Sequence, residues 1–287
     1  MEIITTETLG FCKGVDRAAK MTNDVMAKAA KNGLPVYALG KLVHNHIFNE
    51  KMEDLGLQYL EGKELIDKPG YLILRTHGVT DDLKKHYLNQ GMILVDCACP
   101  VVLHEQQQVR SAHDDDLILI LGKKNHPEVL SLYGVESKHQ RMIINSLDDL
   151  KTVPPKVNLY IIMQSTASPL LVNPVLNELE NWKKCGRVIT IGNRQCNSTA
   201  KRLRQVTELA KKVDCVLVIG DKTSANTNGL VEKVTECQTY ARLITSVDDI
   251  DSSIFAYKRV GVASGASAPM FLIEEILHAL KKGELNG

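Results

Sequence analysis

Short runs of consecutive apolar residues, many of them β-branched, recur along this chain. They are Tyr71-Leu72-Ile73-Leu74, Leu117-Ile118-Leu119-Ile120-Leu121, Leu159-Tyr160-Ile161-Ile162-Met163, Val216-Leu217-Val218-Ile219 and Val260-Gly261-Val262-Ala263. Each is bounded by polar loop residues and followed by a stretch with helical spacing. A strand that is apolar on both faces needs cover on both faces. Continuous apolar runs alternating with helices therefore predict parallel α/β sheets with helices above and below. Ligands of such sheets sit outside the carboxyl ends of the strands, where loops enter helices. The loops after the strands are thus the places to look for chemistry.

The bulk properties exclude several classes. The 287 residues suffice for one large or two to three smaller domains, and 44% hydrophobic content supports a sizeable core. Thirty-five Lys and Arg against 34 Asp and Glu leave a net charge of +1, without the basic surplus of a dedicated nucleic-acid binder. No apolar run approaches the roughly 18 residues of a membrane span. The start, Met1-Glu2-Ile3-Ile4, lacks the charged and apolar regions of a signal peptide, so the expected location is cytoplasmic.

One unit repeats three times: a strand, a loop with a cysteine, then a helix. The copies are Ile3–Thr6 with Cys12 and a helix from about Val15, Met92–Val95 with Cys99 and a helix from Pro100, and Val188–Ile191 with Cys196 and a helix from about Ser198 or Thr199. The cysteines are 87 and 97 residues apart. This order predicts three similar α/β units, residues 1–98, 99–194 and 195–287, which could stand in a pseudo-threefold arrangement around a shared centre. The final segment of the chain could pack back on the first unit.

Seven cysteines without an export signal are poor material for a disulfide framework. Buried thiols, metal ligands or a reactive thiol stay open. A cysteine at a helix start feels the positive end of the helix dipole, which favours the thiolate. Pro100 suits a first helical position and makes Cys99 the cap. Thiolates bind zinc and iron–sulfur clusters, the latter usually through four cysteines, so a set of three would leave one iron open. Cys97-Ala98-Cys99 with His104 is also half of a small zinc site, though a second pair is missing. Cys215 lies in the apolar run Val213–Ile219 and reads as core.

The histidines His44, His77 and His126 each follow a strand, and together they suggest a polar pocket. Ser224, Asn226 and Ser267 lie near helix starts, where hydroxyls, amides and free N–H groups suit phosphate oxygens. There is no Walker loop and no Gly-x-Gly-x-x-Gly fingerprint, so a phosphate here would belong to a substrate. Glu128, two residues after His126, is a candidate proton donor if desolvation raises its pKa.

These motifs resemble the 4-hydroxy-3-methylbut-2-enyl diphosphate reductase family, IspH or LytB, of the non-mevalonate isoprenoid pathway. The carriers are Gly10-Phe11-Cys12-Lys13-Gly14-Val15-Asp16-Arg17-Ala18, Val43-His44-Asn45, His77-Gly78-Val79 and Cys99-Pro100. They continue with His126-Pro127-Glu128-Val129, Gln164-Ser165-Thr166, Cys196, Ser224-Ala225-Asn226-Thr227-Asn228 and Gly265-Ala266-Ser267-Ala268-Pro269. The resemblance runs nearly end to end. It implies an oxidoreductase with a trefoil of three α/β domains around a 4Fe–4S cluster, with Cys12, Cys99 and Cys196 as ligands and one iron without a cysteine. It implies that His44, His77, His126, Ser224, Asn226 and Ser267 hold the diphosphate. His126 and Glu128 would deliver protons, with Ser165 near the substrate hydroxyl. Lacking a flavin or nicotinamide motif, such an enzyme takes electrons from a partner such as ferredoxin or flavodoxin.

The chain departs from the family pattern at several places. Ser165 stands where threonine is usual, Ser131 where glycine is, and Gly229 where arginine is common. Leu103-His104 replaces a threonine–lysine pair. Ala225 replaces a phosphate-binding serine, which removes one hydrogen bond worth roughly 0.5–1.5 kcal/mol. Cys97 is either a small buried residue at a strand end or an extra thiol beside the cluster. These departures leave two alternatives: a paralogue with the same cluster and another small substrate, or a non-catalytic sensor built on a labile cluster or metal.

Overall fold

The computed structural model describes residues 1–193 and 196–283. Among these, the strands are β1 (Glu2–Thr5), β2 (Val36–Leu39), β3 (Leu57–Leu60), β4 (Tyr71–Leu74), β5 (Ile93–Asp96), β6 (Asp116–Leu121), β7 (Arg141–Ile144), β8 (Asn158–Met163), β9 (Ile189–Ile191), β10 (Cys215–Ile219), β11 (Tyr240–Ile244) and β12 (Arg259–Ser264). The helices are α1 (Lys13–Asn32), α2 (His46–Asp54), α3 (Asp81–Leu88), α4 (Pro100–Ser111), α5 (Pro127–Tyr133), α6 (Pro169–Lys184), α7 (Asn197–Ala210), α8 (Ala225–Glu236) and α9 (Met270–Lys282). The α/β class expected from the apolar runs is the class observed. No helix among the described residues is long and apolar enough to cross a membrane.

The strands form three four-stranded sheets, ordered β3-β2-β4-β5, β7-β6-β8-β9 and β1-β12-β10-β11. Every pairing is parallel. The orders are one pattern: within each group of strands, the second in sequence takes one edge, the first and third lie centrally, and the fourth takes the other edge. In the last sheet β1 fills the fourth place, pairing Glu2 with Arg259 through Thr5 with Val262. A smaller device repeats too. After β7 and after β11, Ser146 with Asp149 and Ser246 with Asp249 form capping boxes at the start of short 3-10 turns.

The chain divides into two compact units. One comprises Met1–Val15, Val43–Glu50 and Cys196–Gly287, and the other Asp16–Leu42 and Lys51–Gln195. The first unit holds the sheet with β10 and β12. There Cys215, Leu217 and Ile219 face one way, toward Ile273 and Ile276 of α9. Val216 and Val218 face the other way, toward Val206 of α7 and Leu230 of α8. The second unit holds the other two sheets. Leu117, Leu119 and Leu121 of β6 pack with Val175 and Leu179 of α6, while Ile118 and Ile120 pack with Val109 of α4 and Leu132 of α5. This two-sided cover is why the strands read as unbroken apolar runs.

The runs are the central strands. The edge strand β5 is only partly buried, with Ile93 49% exposed. Leu119→Ala on β6, at a fully buried position paired with Ile161, is expected to cost about 2–5 kcal/mol. Ile93→Ala on β5 is expected to stay within about 0.5 kcal/mol of the parent. Urea midpoints of the two variants check the contrast.

Candidate functional site

In each sheet the chain reverses direction of strand addition between its two central strands: β2 and β4, β6 and β8, β10 and β12. Such a switch point opens a crevice at the strands' carboxyl ends. The residues singled out in the sequence follow these strands: His44 and His77, His126 and Ser165, Ser224 and Ser267.

In the first unit, Ser224 caps α8, and its Oγ accepts the Thr227 N–H at 3.3 Å. Asn226 Oδ1 accepts the Ala266 N–H at 2.8 Å. Ser267 Oγ donates to the His44 carbonyl at 2.8 Å and lies 3.4 Å from Ser224 Oγ. These bonds gather His44, Ser224, Asn226 and Ser267. The first turn of α8 comes this close because Gly265 has no side chain: a Cβ there would stand 2.2 Å from Thr227 Oγ1. Ala225 is half-buried beside Ser224, and a Cβ at Gly229 would meet open space.

Asp221 braces the same loops. Its Oδ1 accepts from the N–H (2.8 Å) and Oγ1 (2.7 Å) of Thr223. Its Oδ2 takes the His46 N–H at 2.9 Å and lies 2.8 Å from His46 Nδ1. Burial alone would push this carboxyl up, but the Thr223 and His46 donors hold it well below the usual carboxylate range. The brace ties the approach to Ser224 to the segment after His44. Sequence reading missed it. Its only local signal was an aspartate two residues before a threonine at a helix entry.

In the second unit, Glu128 lies in the first turn of α5 and is fully buried. The Ser165 backbone N–H donates to one of its oxygens and Ser165 Oγ to the other at 2.9 Å. Desolvation pushes the carboxyl up to about 7, against the pull of both Ser165 donors. His126 caps α5, its Nδ1 accepting the Glu128 N–H at 3.2 Å. The His77 ring stands edge-on to His126, centroids 5.5 Å apart. Ser131 Oγ is 2.8 Å from the Glu128 carbonyl and 2.9 Å from the His77 carbonyl. The hydroxyl at this departure thus links the two loops. His77, His126, Glu128 and Ser165 are brought together.

The three repeat cysteines all stand at helix starts and are half-buried. Cys99 and Cys196 cap α4 and α7 with nearly the same backbone, φ −58° and −54° with ψ 135° in both. Neither side chain caps its own helix. Cys12 lies one residue before α1. The Cys12 N–H donates to Ala266 and the Cys99 N–H to Thr76, in each case two residues past the end of the third strand of the sheet. Arg202 of α7, buried, donates to the Gly10 carbonyl at 2.6 Å and the Ser264 carbonyl at 2.8 Å, which pins the loop carrying Cys12. Partly open thiols at positive helix ends fit the ligation of an iron–sulfur cluster.

Cys97 has a different setting. It is fully buried near Thr22 and Arg17 of α1, and burial pushes its thiol up to about 11. Cys215 is alike in burial and direction. His104 is exposed and Leu103 half-buried on α4. No metal-donor group among the described residues contains Cys97 or His104.

Comparison with known proteins is consistent along the whole length. The LytB protein family matches residues 3–281. A 4-hydroxy-3-methylbut-2-enyl diphosphate reductase from Geobacter metallireducens is 32% identical, covering 98% of each chain. One from Clostridioides difficile is also 32% identical, covering 98% of this chain and 99% of the relative. Among solved structures, the E-1-hydroxy-2-methyl-but-2-enyl-4-diphosphate reductase from Plasmodium falciparum superposes with a TM-score of 0.89 at 25% identity, over 98% of this chain and 88% of that one. A structure titled (E)-4-hydroxy-3-methyl-but-2-enyl diphosphate reductase, the terminal enzyme of the non-mevalonate pathway, gives 0.70 at 27% identity, over 98% and 100%.

The raised carboxyl of Glu128 has a stability consequence. An unfolded glutamate ionises near pH 4.3, whereas Glu128 keeps its proton to about 7. Below both values the group contributes nothing. As pH rises between them the unfolded state is favoured, and the cost persists above the folded value. Glu128→Gln is therefore expected to gain stability relative to the parent between about pH 5 and about pH 8. Denaturant midpoints at the two pH values check it.

Proposed function

Because this chain belongs to the LytB protein family, we infer that its site performs the reaction of the reductases it matches. It is an oxidoreductase, a 4-hydroxy-3-methylbut-2-enyl diphosphate reductase of the non-mevalonate pathway. The family uses an iron–sulfur cluster. The finer reading is a 4Fe–4S cluster held by Cys12, Cys99 and Cys196, with one iron free of cysteine. When bound, the cluster supplies electrons and Lewis acidity for loss of the substrate hydroxyl. Two electrons and two protons are consumed, water leaves, and isopentenyl and dimethylallyl diphosphate are the products. The electrons come from an external carrier such as a ferredoxin or flavodoxin, since the chain has no flavin or nicotinamide fingerprint.

The protein's own residues bind, orient and protonate. In the first unit His44, Ser224, Asn226 and Ser267 are assigned to the diphosphate. The start of α8 adds N–H groups and the positive end of a twelve-residue helix. The family resemblance assigns His77 and His126 a diphosphate-binding role as well. Glu128 is the acid. The observation that carries this role is its burial with both oxygens held by Ser165, which fixes the carboxyl while desolvation keeps it protonated to about pH 7. A protonated carboxyl can give its proton to a departing hydroxyl. Ser165 orients the acid, and its hydroxyl keeps the function of the more usual threonine. The match from residue 3 to 281 favours this reading over a paralogue or a sensor.

The test is turnover by anaerobically reconstituted protein given the allylic diphosphate and a chemical reductant. Both C5 diphosphates are expected. Absence of turnover with full iron and sulfide content would overturn the assignment. Glu128→Gln is expected to lower kcat about 10²–10⁴-fold while leaving the cluster's visible absorption unchanged. Asn226→Ala is expected to raise KM about 10-fold, as loss of one hydrogen bond to a charged group predicts, with a smaller change in kcat.

A further inference from the structure

We propose that Asp221 is a positioning residue for the diphosphate site: its carboxylate closes a circuit of contacts that sets His44, Ser224 and Ser267 in place before the substrate arrives. The proposal rests on the assignment of those three residues to the diphosphate.

The circuit runs within the first unit. The Ser224 N–H donates to the Asp221 carbonyl at 3.0 Å. Ser224 Oγ lies 3.4 Å from Ser267 Oγ, and Ser267 Oγ donates to the His44 carbonyl at 2.8 Å. Two residues further along the chain, the His46 N–H donates to Asp221 Oδ2 at 2.9 Å, and His46 Nδ1 lies 2.8 Å from the same oxygen. The path has returned to the residue at which it began. Three of its members are groups assigned to the substrate, whereas Glu128 and Ser165, assigned to proton delivery, are not among them.

The two oxygens of Asp221 have separate duties. Oδ1 shapes its own loop, taking the N–H and the hydroxyl of Thr223 on the way into α8. Oδ2 holds a residue 175 positions away in sequence. That residue lies in Val43–Glu50, which belongs to the first unit although the residues flanking it in sequence belong to the second. Inside this stretch, Asn45 Oδ1 accepts the Phe48 N–H at 2.9 Å and Asn49 Nδ2 donates to the Val43 carbonyl at 2.8 Å, which fixes its turn. Ile47 packs on the core under α9, and the Phe48 ring stands edge-on to Phe11 at 5.4 Å. Apolar burial of this kind is non-directional and leaves the orientation of the backbone open. The bonds from Ser267 and to Asp221, on either side of Asn45, supply that orientation and so aim His44.

Asp221 acts through the groups it holds. Its side chain is only 8% exposed, and the Thr223 and His46 donors keep it ionised. A carboxylate repels a diphosphate, so it is not itself a ligand for the anion. Groups already held in their binding geometry lose less freedom when the anion binds, and the gain appears as affinity. A defect in the circuit should therefore fall on KM more than on kcat.

Asp221→Asn turns an amide nitrogen toward the donors on one side, whichever way the amide is set. KM for the allylic diphosphate is expected to rise about 10-fold, with a smaller change in kcat. The Kd of the cluster-loaded protein for inorganic diphosphate, read by calorimetry, is expected to rise by a similar factor. His46→Ala keeps the N–H bond and removes the ring contact, so a smaller rise of about 3-fold is expected. Added to Asp221→Asn, it should bring no further rise, because the two residues share one contact. Unchanged KM and Kd in a folded Asp221→Asn protein would overturn the proposal even if its thermal midpoint falls, since a purely structural role would move only the latter. Equal effects of His46→Ala in both backgrounds would overturn it too. If Asp221→Asn does not fold, His46→Ala decides, and parental KM and Kd there would sink the idea. A parent that binds inorganic diphosphate but does not turn over the allylic one would fail the functional reading, and the Kd values alone would then decide Asp221. A parent that does neither would overturn both.

Discussion

Cover on both faces of the central strands is the constraint on which the rest depends. A parallel strand whose side chains alternate between two helix layers has no polar face to offer. Polar chemistry is displaced to the strand ends, and among those to the carboxyl ends, where helix starts offer N–H groups. β10 shows this in one run. Leu217 and Ile219 face α9, Val216 and Val218 face α7 and α8, and the next residues are Gly220, Asp221 and, at the helix start, Ser224.

The threefold repetition of this plan sets where each function stands. Loops after the first and third strands of each group carry the polar residues, and the loop after the fourth carries a cysteine. β1 and Cys12 fit only when β1 is counted as the fourth strand of the last sheet, a place that its pairing with β12 confirms. The shared bonds from Cys12 to Ala266 and from Cys99 to Thr76 follow from that equivalence.

The interior handles its carboxyls in two opposite ways, by donor count. Asp221 has four donor contacts from Thr223 and His46 and is held ionised. Among the described residues, Glu128 has two from Ser165 in a fully buried setting, and Glu105 has one from Asn193; both are pushed toward the neutral acid. The first arrangement suits bracing a loop. The second suits keeping a proton where water does not reach.

Much of this was legible in the sequence. The unbroken runs at residues 71–74, 117–121, 159–163, 216–219 and 260–263 are all strands, because two-sided burial leaves a purely apolar signature. Cys99 before Pro100 was legible as a helix cap, because proline without an N–H belongs in the first turn. Edge strands were less sharply marked, since β5 and β9 are partly exposed. What a local pattern cannot carry is contact between residues far apart in the chain. The sequence placed Cys97 beside Cys99 but not its thiol against Thr22. It put Glu105 at a spacing that matches the buried stripe of α4, yet a glutamate there reads as surface until α5 and the Asn193 loop close over it. It named Glu128 and Ser165 as separate candidates 37 residues apart, and only the packing of the loop after β8 onto α5 made them one unit. Periodicity and punctuation determined the elements and their order. Desolvation and the choice of hydrogen-bond partners, which set the charge of each buried acid, exist only once those elements are packed.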